Sequence, residues 1–263
     1  MTNPVDINVE YIDVQGAQIQ LLKGGQGNPL LYLHSAGGET FAMPFHEGLA
    51  AHFSLIAPVH PGFDQSGGTE RINDIEDLAF YYRDFLDAMG IDKIDIVGTS
   101  LGGWIALELA VRWPERIGKL VLVDSVGIWL PDTPIAELFG LEPAEMRELA
   151  FYDPQSEVAQ TLIMDDPPED LTLLILKGLE TTAKLGWNPY LHNPKLYNRL
   201  RHVKSPTMVL WGEQDKLVPV AYAHAFHKAI ANSELVILPE CGHMPIFEKM
   251  EEFVEHVVRF VKN

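Results

Sequence analysis

The sequence has a single cysteine, Cys241, among 263 residues. No intrachain disulfide can form, and no cysteine spacing offers a zinc-ribbon site. Positive charge is scarce as well. Nineteen lysines and arginines stand against 37 aspartates and glutamates, a formal net charge of −18. Nucleic acids and anionic membrane surfaces are bound through clustered cations, so neither is an expected partner. Long apolar runs are missing too. The longest are roughly ten residues with polar interruptions, about half of what a membrane-spanning helix needs. The first residues, Met1 to Asp6, carry no basic segment followed by an apolar one, so no secretory leader is expected. Together with the lone cysteine, this leads to the expectation of a cytoplasmic protein. There is no internal repeat and no low-complexity segment.

What is present is an ordinary globular composition, 47% hydrophobic and 21% charged. That is enough to bury a full core. Ile7 to Val14 and Ala17 to Leu22 flank the turn Gln15-Gly16 and read as a hairpin at a sheet edge. After it, short apolar runs alternate with helical spacing. The runs are Leu30 to His34, Phe53 to Ala57, Lys93 to Val97 and Lys119 to Asp124. Near-continuous apolar strands are what a sheet covered on both faces requires. A helix is expected from Phe41 to Ala51. A second has Ile75, Leu78, Ala79, Tyr82, Phe85, Leu86 and Met89 at helical spacing, with Asn73 or Asp74 as N-cap and Gly90 as stop. A third runs from Leu101 to Trp113 and is stopped by Pro114. Alternation of this kind implies a parallel sheet with right-handed crossovers.

From Val126 to Val203 the strand signal vanishes. Proline-punctuated helical pieces replace it, with Asp153-Pro154 read as a helix start and a longer helix from Leu171 to Leu185. The expected organisation is a core of residues 1–125 and 204–263 with a helical cap, residues 126–203, inserted into it. Alternation resumes with Thr207 to Trp211, a helix from Val220 to Ala231, the strand Leu235 to Leu238, and a closing helix marked by Met250, Phe253, Val254, Val257 and Val261.

The chemistry gathers in loops that leave the carboxyl ends of these strands, where parallel sheets carry their sites. Gly98-x-Ser100-x-Gly102 sits between a strand and a helix. There a serine is held at a sharp bend with its hydroxyl exposed above the sheet, and glycine fits two places to either side because a larger residue would strike neighbouring backbone. A serine hydroxyl needs a base, and the base needs a carboxylate to fix its tautomer. His243, between the last strand and the last helix, supplies the first. Asp215 supplies the second, with Asp124 at the end of the preceding strand as its competitor. An oxyanion needs two backbone donors. Leu101 N–H, at a helix start, is one, and the turn at Ser35-Ala36 offers the other. Cys241 lacks a strand-to-helix elbow and reads as a packing residue. His34 and His60 read as structural. No metal or cofactor is expected.

Five motifs then resemble the α/β-hydrolase superfamily: His34-Ser35-Ala36-Gly37-Gly38, His60-Pro61-Gly62-Phe63, Gly98-Thr99-Ser100-Leu101-Gly102, Gly212-Glu213-Gln214-Asp215 and Gly242-His243-Met244-Pro245. The resemblance implies an α/β fold with a mostly parallel eight-stranded sheet, helices on both faces and an inserted cap. It assigns Ser100, Asp215 and His243 as the catalytic triad, and Ala36 and Leu101 as oxyanion donors. Ser35 stands where many members have glycine, so its hydroxyl is expected to donate to substrate or narrow the pocket. A serine at position 100 argues against dehalogenases and epoxide hydrolases, which carry aspartate there. The expected activity is carboxylesterase action on a small hydrophobic ester. The alternatives are a C–C bond hydrolase of ring meta-cleavage products, a perhydrolase or acyltransferase, and a non-catalytic ligand-binding protein of the same fold. Trp129, Phe139, Met164, Leu174, Trp187 and Met244 join Ser35 as expected substrate contacts. Oligomeric state and pathway are not legible.

Overall fold

A computed structural model describes residues 5–263. Met1 to Pro4, part of the stretch read for a leader, lies outside the described residues. Eight strands form one sheet: β1 (Ile7–Val14), β2 (Ala17–Gly24), β3 (Pro29–Leu33), β4 (Ser54–Pro58), β5 (Ile94–Thr99), β6 (Ile117–Val123), β7 (Thr207–Gly212) and β8 (Ser233–Leu238). Their spatial order is β1-β2-β4-β3-β5-β6-β7-β8. The β1–β2 and β2–β4 pairs are antiparallel and all the others parallel. The hairpin is thus at the edge and the parallel strands are central.

Side-chain alternation divides the core. Leu31, Leu33, Ile96, Leu120, Leu122, Val209 and Trp211 face one side. Leu30, Tyr32, Val97, Val121, Val123, Met208 and Leu210 face the other. A strand shows successive side chains to opposite faces, so both faces need cover. On the first side the cover is α2 (Ile75–Ala88), α3 (Leu101–Arg112) and α8 (Ala221–Ala229), and on the second α1 (Pro44–Ala50) and α10 (Met250–Lys262). In α2 the residues Ile75, Leu78, Ala79, Tyr82, Phe85 and Leu86 are all buried, and Asp74 is the N-cap, accepting from Asp77 N–H. Each of the large ones contributes roughly 1.5–3 kcal/mol by burial.

The helix expected from Phe41 is shorter than that reading. It begins at Pro44, because the residue before a proline is pushed out of helical backbone, and Met43 is extended at φ −129°, ψ 157°.

Between β6 and β7 the chain forms α4 (Pro143–Ala150), α5 (Glu157–Leu162), α6 (Glu169–Gly186) and the short α7 (Leu196–Arg199). Its only strand-like pairing among the described residues is an isolated bridge from Gly127 to His192. Asp153-Pro154 does not start a helix. The Asp153 carboxylate accepts from Gln155 N–H at 2.9 Å in a local turn, and α5 begins at Glu157 with Ser156 as its cap. The root of this insertion is tied down by charge. Arg199 and Asn193 reach Glu76 of α2, and Asn193 also reaches the buried Glu108 of α3, at 2.8–2.9 Å. After β8, the four-residue α9 (Pro245–Glu248) leads into α10. Among the described residues, no helix is long and apolar enough to cross a membrane.

Candidate active site

β3 lies between β4 and β5, so the chain leaves it in one direction and returns on its other side. Such a reversal opens a crevice at the carboxyl edge of a parallel sheet. Here it sets the loop after β3 against the loop after β5. β5, β6, β7 and β8 are paired in steps that bring their ends level. Thr99 is opposite Val123, Val123 opposite Leu210, and Gly212 opposite Leu238. The loops carrying Ser100, Asp124, Asp215 and His243 therefore start along one edge.

Ser100 has φ 51° and ψ −108°, a backbone that non-glycine residues rarely adopt. Such a conformation costs about 1–3 kcal/mol and persists only where the surroundings impose it. Both glycines are required sterically. A Cβ on Gly98 would lie 2.5 Å from Gly102 O, and one on Gly102 only 2.0 Å from Leu33 O. Ser100 Oγ–H is placed to donate to His243 Nε2 at 3.1 Å, and His243 Nδ1–H donates to Asp215 Oδ2 at 2.7 Å. Asp215 Oδ1 accepts from both Leu217 N–H and Val218 N–H at 2.8 Å. All three side chains are buried. The arrangement can move a proton from a serine hydroxyl to an imidazole whose orientation a carboxylate holds.

Leu101 opens α3, so its N–H has no acceptor within the helix. The Ala36 N–H likewise has no acceptor among the described residues. Both N–H groups are thus left without a protein acceptor among the described residues, in the loops after β3 and β5.

Ser35 corrects the sequence reading. Its hydroxyl donates to Glu39 Oε1 at 2.6 Å and accepts from Gly37 N–H at 3.0 Å. Its own N–H donates to Glu39 Oε2 at 2.8 Å. The side chain is buried and braces the turn that carries Ala36, so it is not free to meet substrate. Glu39, which sequence reasoning missed, is the anchor. Burial pushes its carboxyl above the usual range, and the Ser35 bonds oppose that. No local pattern distinguishes a buried glutamate after two glycines from a solvated one.

Beneath this turn His34 and His60 stack at 3.6 Å between ring centroids. His34 Nε2 accepts from His60 N–H at 2.8 Å, and His60 Nε2–H donates to His34 O at 2.9 Å. His60 Nδ1 pairs with the Tyr82 hydroxyl. Both rings are structural, as expected. Burial depresses them, His34 to about 4, and His46 in α1 to about 3. A histidine held neutral in the fold stabilises it fully above the unfolded value of 6.5, and this is lost as pH falls toward the folded value. From pH 6.5 to about 5, His34 alone should account for about 2 kcal/mol. Urea unfolding of the parent and a His34→Gln variant across that range checks this. Equal pH slopes would refute it.

The other expected contacts scatter. Trp129 packs on His192 at 5.4 Å, and Phe139 on Trp187 at 5.3 Å and Tyr190 at 6.2 Å. Trp187 is 59% exposed and Met164 37%. Leu174 is half-buried on α6. Met244 packs with Ala150, Phe151 and Ala159. Trp129, Phe139, Trp187 and Met244 thus have protein partners of their own. The element that does reach the turn is α6, where a Cβ on Gly178 would lie 3.7 Å from Ala36 O. Cys241 is buried in the core, and burial pushes its thiol up, as a packing residue requires.

The insertion also touches the histidine loop. His243 N–H donates to Ala150 O at 2.7 Å. Glu248 Oε1 accepts from Gly242 N–H at 2.9 Å, while its Oε2 accepts from Tyr152 N–H at 2.8 Å.

Residues 30–256 match the alpha/beta hydrolase family. The chain belongs to that family. It is 31% identical over 264 residues to a 2-hydroxymuconate semialdehyde hydrolase of Pseudomonas putida, covering 94% of this chain and 91% of the relative. It is 28% identical over 277 residues to a 2-hydroxy-6-oxo-6-phenylhexa-2,4-dienoate hydrolase of Burkholderia cepacia, covering 94% and 92%. Among solved structures, a thermophilic esterase superposes with a TM-score of 0.77 at 30% identity, covering 98% of both chains. As a member of this alpha/beta hydrolase family, the chain is a hydrolase, built on the eight-stranded, mostly parallel sheet that its motifs implied.

Proposed function

We propose that this hydrolase cleaves a carbon–carbon bond beside a carbonyl in a conjugated hydroxy-oxo-dienoate, through an acyl-enzyme on Ser100. The near full-length similarity to hydrolases named for such compounds carries this reading over the simple ester first expected. His243 Nε2 takes the Ser100 proton as Oγ adds to the carbonyl carbon. The resulting oxyanion accepts from the Ala36 and Leu101 N–H groups. The C–C bond breaks with its electron pair entering the conjugated system, which takes a proton from the imidazolium. Water, deprotonated by His243, then adds to the acyl group, and Ser100 recovers its proton as the acid leaves. Asp215 holds the imidazole in the tautomer this needs. Residues 126–203 serve as a cap over Ser100, with α6 against the oxyanion turn. No cofactor or metal takes part, the partner is a small molecule, and a cytoplasmic location fits the buried lone cysteine.

A second reading, hydrolysis of a small neutral ester, has its own support. A dienoate carries a carboxylate, yet several cations of the insertion already serve protein acceptors. Arg147 pairs with Asp165, Arg199 with Glu76, and Lys177 and Lys184 with the Asp64 and Thr69 carbonyls. The similarity to an esterase points the same way.

Side-by-side kcat/KM values for 2-hydroxy-6-oxo-6-phenylhexa-2,4-dienoate and p-nitrophenyl butyrate separate the two. The dienoate is expected to be preferred by at least about 100-fold, a difference of roughly 2.7 kcal/mol in transition-state binding. The opposite ratio would give the assignment to the ester.

A further inference from the structure

Asp124 directly follows β6 in left-handed backbone, φ 44°, with its side chain fully buried. Its Oδ1 accepts from Gly212 N–H at 3.0 Å. Its Oδ2 has no partner among the described residues. An Asp124 oxygen, an Asp215 oxygen and a His243 ring nitrogen all lie within 4.8 Å of one another.

The two carboxyls are not equally provided for. Asp215 accepts three N–H bonds, from Leu217, Val218 and His243. Asp124 accepts one. Two carboxylates this close in a dry site cannot both carry charge, and the one with fewer donors keeps the proton. A proton on Oδ2 also answers the orphaned atom, because it turns an unpaired acceptor into a donor facing a carboxylate.

We propose that Asp124 is a positioning residue that holds a proton at neutral pH and donates it, from Oδ2, in a hydrogen bond to the Asp215 carboxylate. Four titratable side chains are placed around it. Asp215 follows β7, Cys241 and His243 follow β8, and Glu248 lies in α9. Burial first, then the Asp215 charge, push the Asp124 carboxyl well above the usual range, and the Gly212 bond opposes them. Glu248 adds to the push. The proton stays on Asp124 through the reaction. Its role is to fix the Asp215 carboxylate against His243 and to spread that carboxylate's charge, which moderates its pull on the imidazolium.

The inference rests on the Ser100–His243–Asp215 reading, and its test separates the two. Asp124→Asn keeps a neutral group with a donor for Asp215 and an acceptor for Gly212 N–H. Asp124→Leu keeps neither. The Asn variant is expected to retain at least about a third of the parent kcat/KM, with the acid limb of its pH profile in place. The Leu variant should lose at least about tenfold, in kcat rather than KM, and its acid limb should move up. Infrared difference spectra at neutral pH should show a protonated carboxyl C=O band in the parent that the Asn variant lacks.

An Asn variant as poor as the Leu variant, an acid limb that moves down in it, or no such band would each overturn the proposal. Each would mean that Asp124 is ionised. If the Leu variant does not fold, the Asn profile and the infrared band still decide. A parent that fails to label with a fluorophosphonate would strike the triad reading, and the infrared band would then judge Asp124 on its own.

Discussion

Ser100→Ala is expected to lower turnover by at least about ten-thousandfold and to leave the fold intact. The substitution removes one oxygen. His243 keeps its bond to Asp215, the Ala36 and Leu101 donors stay in place, and the backbone at position 100 is imposed by its surroundings. Binding should therefore survive while the covalent step disappears. Alanine at φ 51° is about as strained as serine, so the change in stability should stay within about 1 kcal/mol. Three measurements check this together: kcat with both substrates, fluorophosphonate labelling, and a thermal melt. A variant that folds and still turns over within tenfold of the parent would remove Ser100 from the chemistry.

Gly102→Ala should have one of the largest effects on the fold of any single methyl group near the site. Its Cβ would lie 2.0 Å from Leu33 O, 2.5 Å from Leu33 C and 2.7 Å from His34 O. These are main-chain atoms at the end of a central strand, so nothing flexible can yield. The elbow and the oxyanion turn would have to part. The expected cost is about 4 kcal/mol or more, enough to stop the protein accumulating. Any soluble fraction should lose at least about 100-fold in kcat/KM, because the proposed oxyanion donor Ala36 N–H would shift with the turn after β3. Gly90→Ala is the control. It has positive φ (67°) but nothing within 4 Å, so it should cost only about 1 kcal/mol. Similar denaturant midpoints for the two variants would show that the contact at Gly102 does not constrain the chain.

Much of this architecture could be read from residues alone, for reasons the structure makes explicit. The glycines around Ser100 are legible because the contacts that demand them recur wherever a strand bends sharply into a helix. Helix α2 is legible because its buried face repeats at 3.6 residues and it begins at an aspartate cap. Parallel strands are legible as apolar runs because both of their faces are covered. What escaped depends on direction and partner. Nothing in Ser35 tells that its hydroxyl turns back to Glu39 instead of toward substrate. Nothing in Asp153-Pro154 tells that its carboxylate closes a turn ahead of the helix cap Ser156. The packing of Phe139 on Trp187 joins residues 48 positions apart, so each looked like a free aromatic. The substrate lies at the same limit, because it depends on which side chains face Ser100.

The bonds from Ala150 and Tyr152 to the His243 loop bear on how such enzymes are engineered. The insertion looks like a unit that could be exchanged between relatives to change specificity. Yet a chimera that replaced residues 126–203 would also replace part of the mounting of the histidine. A swapped enzyme that failed on every substrate would then be misread as one with the wrong pocket. The same bonds tie the α4 end to the loop that carries the histidine, so lifting that end would withdraw support from it.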